Sequence, residues 1–293
     1  MLSALLVIKT VMLIVTWPCG IILNSSIIAV YLRDWKKGVK LGECEQISLS
    51  MGCNNLLFQC FLTFGVAFTS YGQHLSFALK VTYASGTVYW FSVILTFWFT
   101  AGLSICFCLR LVNVSPKFFI SLKRRLFRTV TPFLLWSVAI SFFFTIPMTW
   151  TSGIATNKNI TSYDNISFHF VYLILGGLFV IGVPSIITSI CILLSVISLL
   201  RHIRRMKQNT QFGSSQLKNL IKACRTMFLL MALNFLFFLV ILSSVFTPYN
   251  EETTRQTVIF SYSMLNPSGQ AVVLIFGNSK LLSAWSKTLF PHG

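Results

Sequence analysis

Four histidines, His74, His169, His202 and His292, are the side chains of this 293-residue sequence suited to proton transfer near neutral pH. Each falls in a loop or at the end of an apolar run, so no Ser/His/Asp or Cys/His nucleophilic set can be assembled. The eight cysteines include no Cys-x-x-Cys pair and no His partner at ligand spacing, which argues against a metal site. No cofactor is called for, and an enzyme is not expected. What remains is hydrogen-bond chemistry in an unusual place. Asn24, Asn54, Asn55, Asn234 and Gln270 sit inside long apolar runs, where an amide must find a partner or suffer the cost of burial.

The elements that hold those amides follow from composition. Only 10% of the residues are charged and 55% are hydrophobic, with a mean hydropathy of +0.77. A soluble domain carries about 25% charged residues, so lipid must solvate most of this chain. Helix bundles and closed barrels alone satisfy every backbone group in hydrocarbon, and these apolar runs are continuous rather than alternating. A spanning helix needs about 20 apolar residues. Seven runs qualify, at roughly 4–32, 46–68, 84–109, 129–151, 169–200, 226–247 and 257–279, with 280–293 left as a short tail. The second is interrupted by Asn54, Asn55 and Gln59. The expected fold is all-α: residues 1–293 as a single seven-helix transmembrane domain. A cleaved leader is not expected, because the first run lacks a basic n-region and continues past Trp17-Pro18 to Tyr31.

The formal charge of +17 is sorted by loop. Arg33, Lys36, Lys37 and Lys40 follow the first span; Arg110, Lys117, Lys123, Arg124, Arg125 and Arg128 follow the third. Arg201, Arg204, Arg205, Lys207, Lys218, Lys222 and Arg225 lie between the fifth and sixth, and Lys280 and Lys287 in the tail. Nineteen of the 23 basic residues therefore share one side, which the positive-inside rule makes the cytoplasm. The N-terminus is expected outside and the C-terminus inside. Two glycosylation sequons, at Asn159 and Asn165, fall in the loop that this orientation puts outside. No cysteine lies in an outer loop, so no disulfide is expected. The basic loops orient the helices and meet anionic lipid headgroups. Nucleic acid is excluded as a partner, since no basic patch outside the spans is interleaved with stacking aromatics.

Counted from the cytoplasmic ends, Asn24, Asn54 or Asn55, Asn234 and Gln270 lie at a common depth of roughly 12 to 14 Å. One reading makes this layer interhelical glue. The other makes it a rearrangeable network linking an outer pocket to the inner face. No charge lies near a midplane, which argues against an ion pathway, and the seventh span has no central lysine for a Schiff base.

Three segments on the cytoplasmic half go further. Trp98-Phe99-Thr100-Ala101-Gly102-Leu103-Ser104, with Leu109-Arg110-Leu111-Val112-Asn113-Val114-Ser115 and Leu122-Lys123-Arg124-Arg125, resembles the third helix and second inner loop of type 2 (bitter) taste receptors. Ser198-Leu199-Leu200-Arg201-His202-Ile203-Arg204-Arg205-Met206 is similar to that family's fifth-helix end, and Lys222-Ala223-Cys224-Arg225-Thr226-Met227 follows at family spacing. Pro267-Ser268-Gly269-Gln270 and Leu274-Ile275-Phe276-Gly277-Asn278-Ser279-Lys280-Leu281 look like its last helix. Asn24 and Asp34-Trp35 extend the likeness to the first span.

The resemblance implies a G-protein-coupled receptor in the plasma membrane, opened by a small-molecule agonist among the outer halves of the third, fifth, sixth and seventh helices. Candidate ligand contacts are Tyr89, Trp90, Val93, Ile94, Phe179, Phe246, Phe260 and Ser263. It also implies a heterotrimeric G protein with a gustducin-like alpha subunit, contacted by Arg110, Lys123, Arg124, Arg125, His202 and Arg205. The sequence departs from the family at the second-helix arginine, which is absent. Tyr89 and Val93 stand where a Trp and an Asn are common, and Gln270-Ala271 where the family has His-Ser. These departures predict an apolar, aromatic pocket. A vomeronasal-type pheromone receptor is the nearest alternative, and a seven-helix small-solute transporter the alternative of another class.

Overall fold

The computed structural model describes residues 2–71, 75–111, 130–147, 176–208, 214–246 and 252–289. Seven helices among them are long and apolar enough to cross a membrane. The first, α1, runs from Leu2–Val11 through a widened turn at Met12–Thr16 into Trp17–Lys36. Next come α2 (Glu43–Tyr71) and α3 (Leu75–Leu111), then α4 (Val130–Pro147). The fifth, α5, opens with a second widened turn at Leu178–Gly182 and continues as Val183–Gln208. Last are α6 (Ser214–Phe246), α7 (Glu252–Gly277) and the short α8 (Ser279–Leu289).

Both widened turns stand just ahead of a proline, Pro18 in α1 and Pro184 in α5. Proline brings no N–H to the ladder and its ring crowds the preceding turn. A π-type turn relieves that crowding without ending the helix. At the first of them, the Trp17 N–H reaches back five residues to the Met12 carbonyl.

The helix ends are set by local chemistry. α1 stops because Gly38 takes φ 76°, which its missing side chain allows. The Gly38 N–H then reaches the Trp35 carbonyl (2.9 Å) and the Val39 N–H the Asp34 carbonyl (3.1 Å), a Schellman closure. Between α7 and α8, Asn278 breaks the ladder and caps α8 by accepting from the Lys280 N–H at 2.9 Å.

The third helix is the axis of the bundle: 83% of its membrane-spanning window is buried, against 22% in α1 and α4. An inner core joins Ile27 and Tyr31 of α1, Ile47 and Met51 of α2, Leu95, Phe99, Leu103 and Cys106 of α3, Leu230 of α6, and Leu274 and Ile275 of α7. Leu281 of α8 closes it from below, with Trp285 packed alongside. A smaller outer core gathers Phe58, Val93, Phe97, Ile181 and Phe237.

Candidate functional site

The outer core holds two of the eight expected ligand residues. Tyr89 and Val93, one helical turn apart on α3, join Phe58 and Leu62 of α2, Ile181 of α5, and Phe237, Phe238 and Ile241 of α6. The Tyr89 ring lies 5.4 Å from that of Phe58 and meets Trp90 edge-on at the same distance. Ser263 of α7 donates to the Tyr89 hydroxyl at 3.4 Å. These aromatic and aliphatic groups, packed around the Ser263–Tyr89 hydrogen bond, form an apolar floor in the outer half of the bundle.

The other candidates distribute differently. Ile94 and Phe260 are buried, outside the set around Tyr89 and Val93. Phe179 is half exposed and stacks on Phe144 of α4 at 5.6 Å, so it faces the outer flank of the bundle rather than the Tyr89 floor. The Phe246 side chain lies outside the described residues, as do Asn159, Asn165 and Lys123 to Arg125. Arg110 is exposed at the inner end of α3. His202 and Arg205 lie three apart on the inner end of α5; their side chains are outside the description.

Beneath the floor, the amide layer divides into two groups and a link. The first joins α1, α2 and α7. Asn24 donates to the Gly20 carbonyl (2.9 Å) and toward the Pro267 carbonyl (3.4 Å), while Asn55 donates to Asn24 Oδ1 (3.1 Å) and toward the same Pro267 oxygen (3.5 Å). One turn farther out, Gln59 donates to Ser268 Oγ at 3.0 Å, and Ser268 donates to the Thr16 carbonyl at 3.2 Å. These side chains pack directly onto α1 at Gly20, where an added Cβ would run into the Gln59 amide and the Ser268 hydroxyl. The second group joins α3, α6 and α7 in series. Gln270 donates to Asn234 Oδ1 at 2.9 Å, and Asn234 donates to Thr100 Oγ1 at 2.8 Å. Thr100 in turn donates to the Thr96 carbonyl at 2.9 Å. Asn54 is the link: it donates to Thr96 Oγ1 at 3.0 Å and to the Ser92 carbonyl at 3.1 Å. Adjacent residues Asn54 and Asn55 serve opposite sides because a helix turns about 100° per residue.

A third polar cluster was not foreseen from the sequence. Lys280 Nζ of α8 lies 2.7 Å from Asp34 Oδ2 at the end of α1 and 2.8 Å from Glu45 Oε1 at the start of α2. The ammonium also stands 5.7 Å from the centre of the Tyr31 ring, whose hydroxyl accepts from Asn278 at 2.9 Å. Partial burial pulls the Lys280 pKa down, but hydrogen bonds and charge attraction from Asp34 and Glu45 outweigh it and hold it above the ordinary lysine value. A raised pKa places the loss of this tie on the alkaline side, beyond the normal lysine range of about 10.4. The available signal was scarcity: the chain has six acidic residues, and Asp34, Glu43 and Glu45 are the three on the side crowded with cations.

The family model described as "Taste receptor protein (TAS2R)" matches residues 1–292. Among similar curated proteins, Taste receptor type 2 member 40 of Gallus gallus is 28% identical over 288 residues, covering 92% of this chain and 90% of the relative. Taste receptor type 2 member 41 of Pan paniscus is 28% identical over 294 residues, covering 92% and 91%. Taste receptor type 2 member 9 of Homo sapiens is 27% identical over 290 residues, covering 92% and 89%.

Proposed function

Since this chain belongs to the TAS2R taste receptor family, a multi-pass membrane receptor of the bitter-taste class, we propose that its agonists are small amphipathic bitter compounds that settle on the Tyr89–Val93 floor. Membership selects this reading over the pheromone-receptor and transporter alternatives. The observation that carries the pocket is the outer core itself. Its aromatic and aliphatic members surround the Tyr89 hydroxyl, which accepts from Ser263. Ligands with fused or aromatic rings and one hydrogen-bonding group fit such a lining.

A ligand shifts the balance between resting and active receptor only through its differential affinity for the two. Displacing Tyr89 would release α3 from Ser263 of α7, and about three turns below, Thr100 of α3 holds Asn234 of α6, which is held in turn by Gln270 of α7. Binding is thereby coupled to the relative placement of α3, α6 and α7. The inner readout is the docking of a G protein with a gustducin-like alpha subunit against Arg110, the Lys123-Arg124-Arg125 cluster, His202 and Arg205, at the plasma membrane. The chain signals through this partner and performs no catalysis of its own. Its basic inner loops rest on lipid headgroups.

The test is a calcium response in cells carrying the receptor with a promiscuous G-protein alpha subunit, challenged with a bitter-compound panel. Val93→Ala and Val93→Phe are run alongside the parent. A dose-dependent response whose EC50 moves at least threefold with Val93 supports both ligand class and floor. A response indifferent to Val93 removes the floor, and silence across the panel with the receptor at the surface removes the ligand class.

A further inference from the structure

The inner end of α1 carries a charged surface that neither ligand binding nor the amide groups use. Arg33, Lys36, Lys37 and Lys40 are all exposed there, within eight residues. The first three share one helical face at i, i+3 and i+4 spacing. The Schellman turn at Gly38 ends the helix, and Lys40 follows two residues after it. Interleaved with the cations are apolar groups in contact with solvent or lipid: Leu32, Val39 and above all Trp35, which is 66% exposed. An exposed tryptophan at the end of a membrane span marks the headgroup level, and the basic stems beside it reach the phosphate plane.

The acids nearby are already engaged. Asp34 and Glu45 both pair with Lys280, and Glu43 Oε1 is buried. Asp34 also feels Arg33 and Lys37, but it is the one acid among the four cations and it shares its charge with Lys280. Four exposed cations around one shared carboxylate exceed what a monovalent headgroup can balance. We infer that the α1 end and its turn form a docking site for a polyanionic phospholipid headgroup of the inositol-phosphate class in the inner leaflet. This rests on the headgroup contact of the inner loops proposed above, and it names one loop and one lipid class for it.

Native mass spectrometry of the full chain, released from detergent with added phosphatidylcholine, phosphatidylserine or phosphatidylinositol 4,5-bisphosphate, reads the number of lipids retained. The expected result is preferential retention of the bisphosphate lipid, lowered at least fivefold in a K36Q/K37Q/K40Q variant and unchanged in R124Q/R125Q. Lys280→Met, which alters no proposed lipid contact, should lower retention at least twofold by freeing Asp34 and Glu45 to face the patch. Retention by the triple-lysine variant equal to the parent, or its loss in R124Q/R125Q instead, overturns the site and leaves general headgroup contact standing. Equal retention of phosphatidylcholine and the two anionic lipids overturns both.

Discussion

The two amide groups differ in what they tie. On the α1–α2–α7 side, Asn24 and Asn55 converge on a backbone carbonyl, that of Pro267, and Gln59 and Ser268 are packed against Gly20. Several bonds hold each helix there, and Asn24, Asn55 and Ser268 each also reach a backbone carbonyl. On the α3–α6–α7 side the connection is a series of single side-chain bonds, Gln270 to Asn234 to Thr100. Breaking one link removes the polar tie between α6 and a neighbour while the apolar packing of Leu230 and Phe237 stays in place. We propose that glue and switch, the two readings open to the amide layer, belong to opposite sides of α7.

The strongest test of that assignment is Gly20→Val. The new side chain meets the Gln59 amide and the Ser268 hydroxyl, and overpacking of this kind costs about 1–3 kcal/mol. Surface expression should fall severalfold, read by flow cytometry of an epitope-tagged receptor. Asn55→Leu comes next: it removes the donor to Asn24 and Pro267, for a cost of about 1–2 kcal/mol. Expression should drop, while the receptors that reach the surface keep the parental EC50. Asn234→Leu should do the reverse, with near-parental expression and an EC50 or basal activity shifted about fivefold, equivalent to roughly 1 kcal/mol of coupling. Matching phenotypes for the Asn55 and Asn234 variants would erase the distinction between the two sides. The smallest effect belongs to Tyr89→Phe, which loses only a 3.4 Å hydrogen bond. An EC50 change within about threefold, roughly 0.65 kcal/mol, is expected.

Hydropathy alone located the seven spans, because a lipid-facing helix must be apolar along its whole length. It also flagged the amides, since polar groups in hydrocarbon stand out against their neighbours. Their partners were not legible, because which amide faces which depends on the rotation of each helix, and packing fixes that. Gln59 shows the limit. It was visible as an interruption of the second span, yet it lies one turn outside the counted layer, and only the approach of Gly20 reveals its bond to Ser268. Phe179 shows the same limit from the other side: an aromatic residue in α5 could face the pocket or α4, and it stacks on Phe144 of α4. The Lys280 cluster joins residues more than 200 positions apart, which no local pattern can report.

The widened turns ahead of Pro18 and Pro184 bear on how such a chain can diversify. Each inserts a phase shift into its helix, since one additional residue in a turn rotates everything beyond it by about 100°. A one-residue insertion or deletion within Met12–Thr16 would therefore re-aim Leu2–Val11 as a unit. The inner segment of α1, with its core packing, would stay in register. A length change at this point offers a route to a differently shaped outer end that leaves the inner half of the bundle as it is.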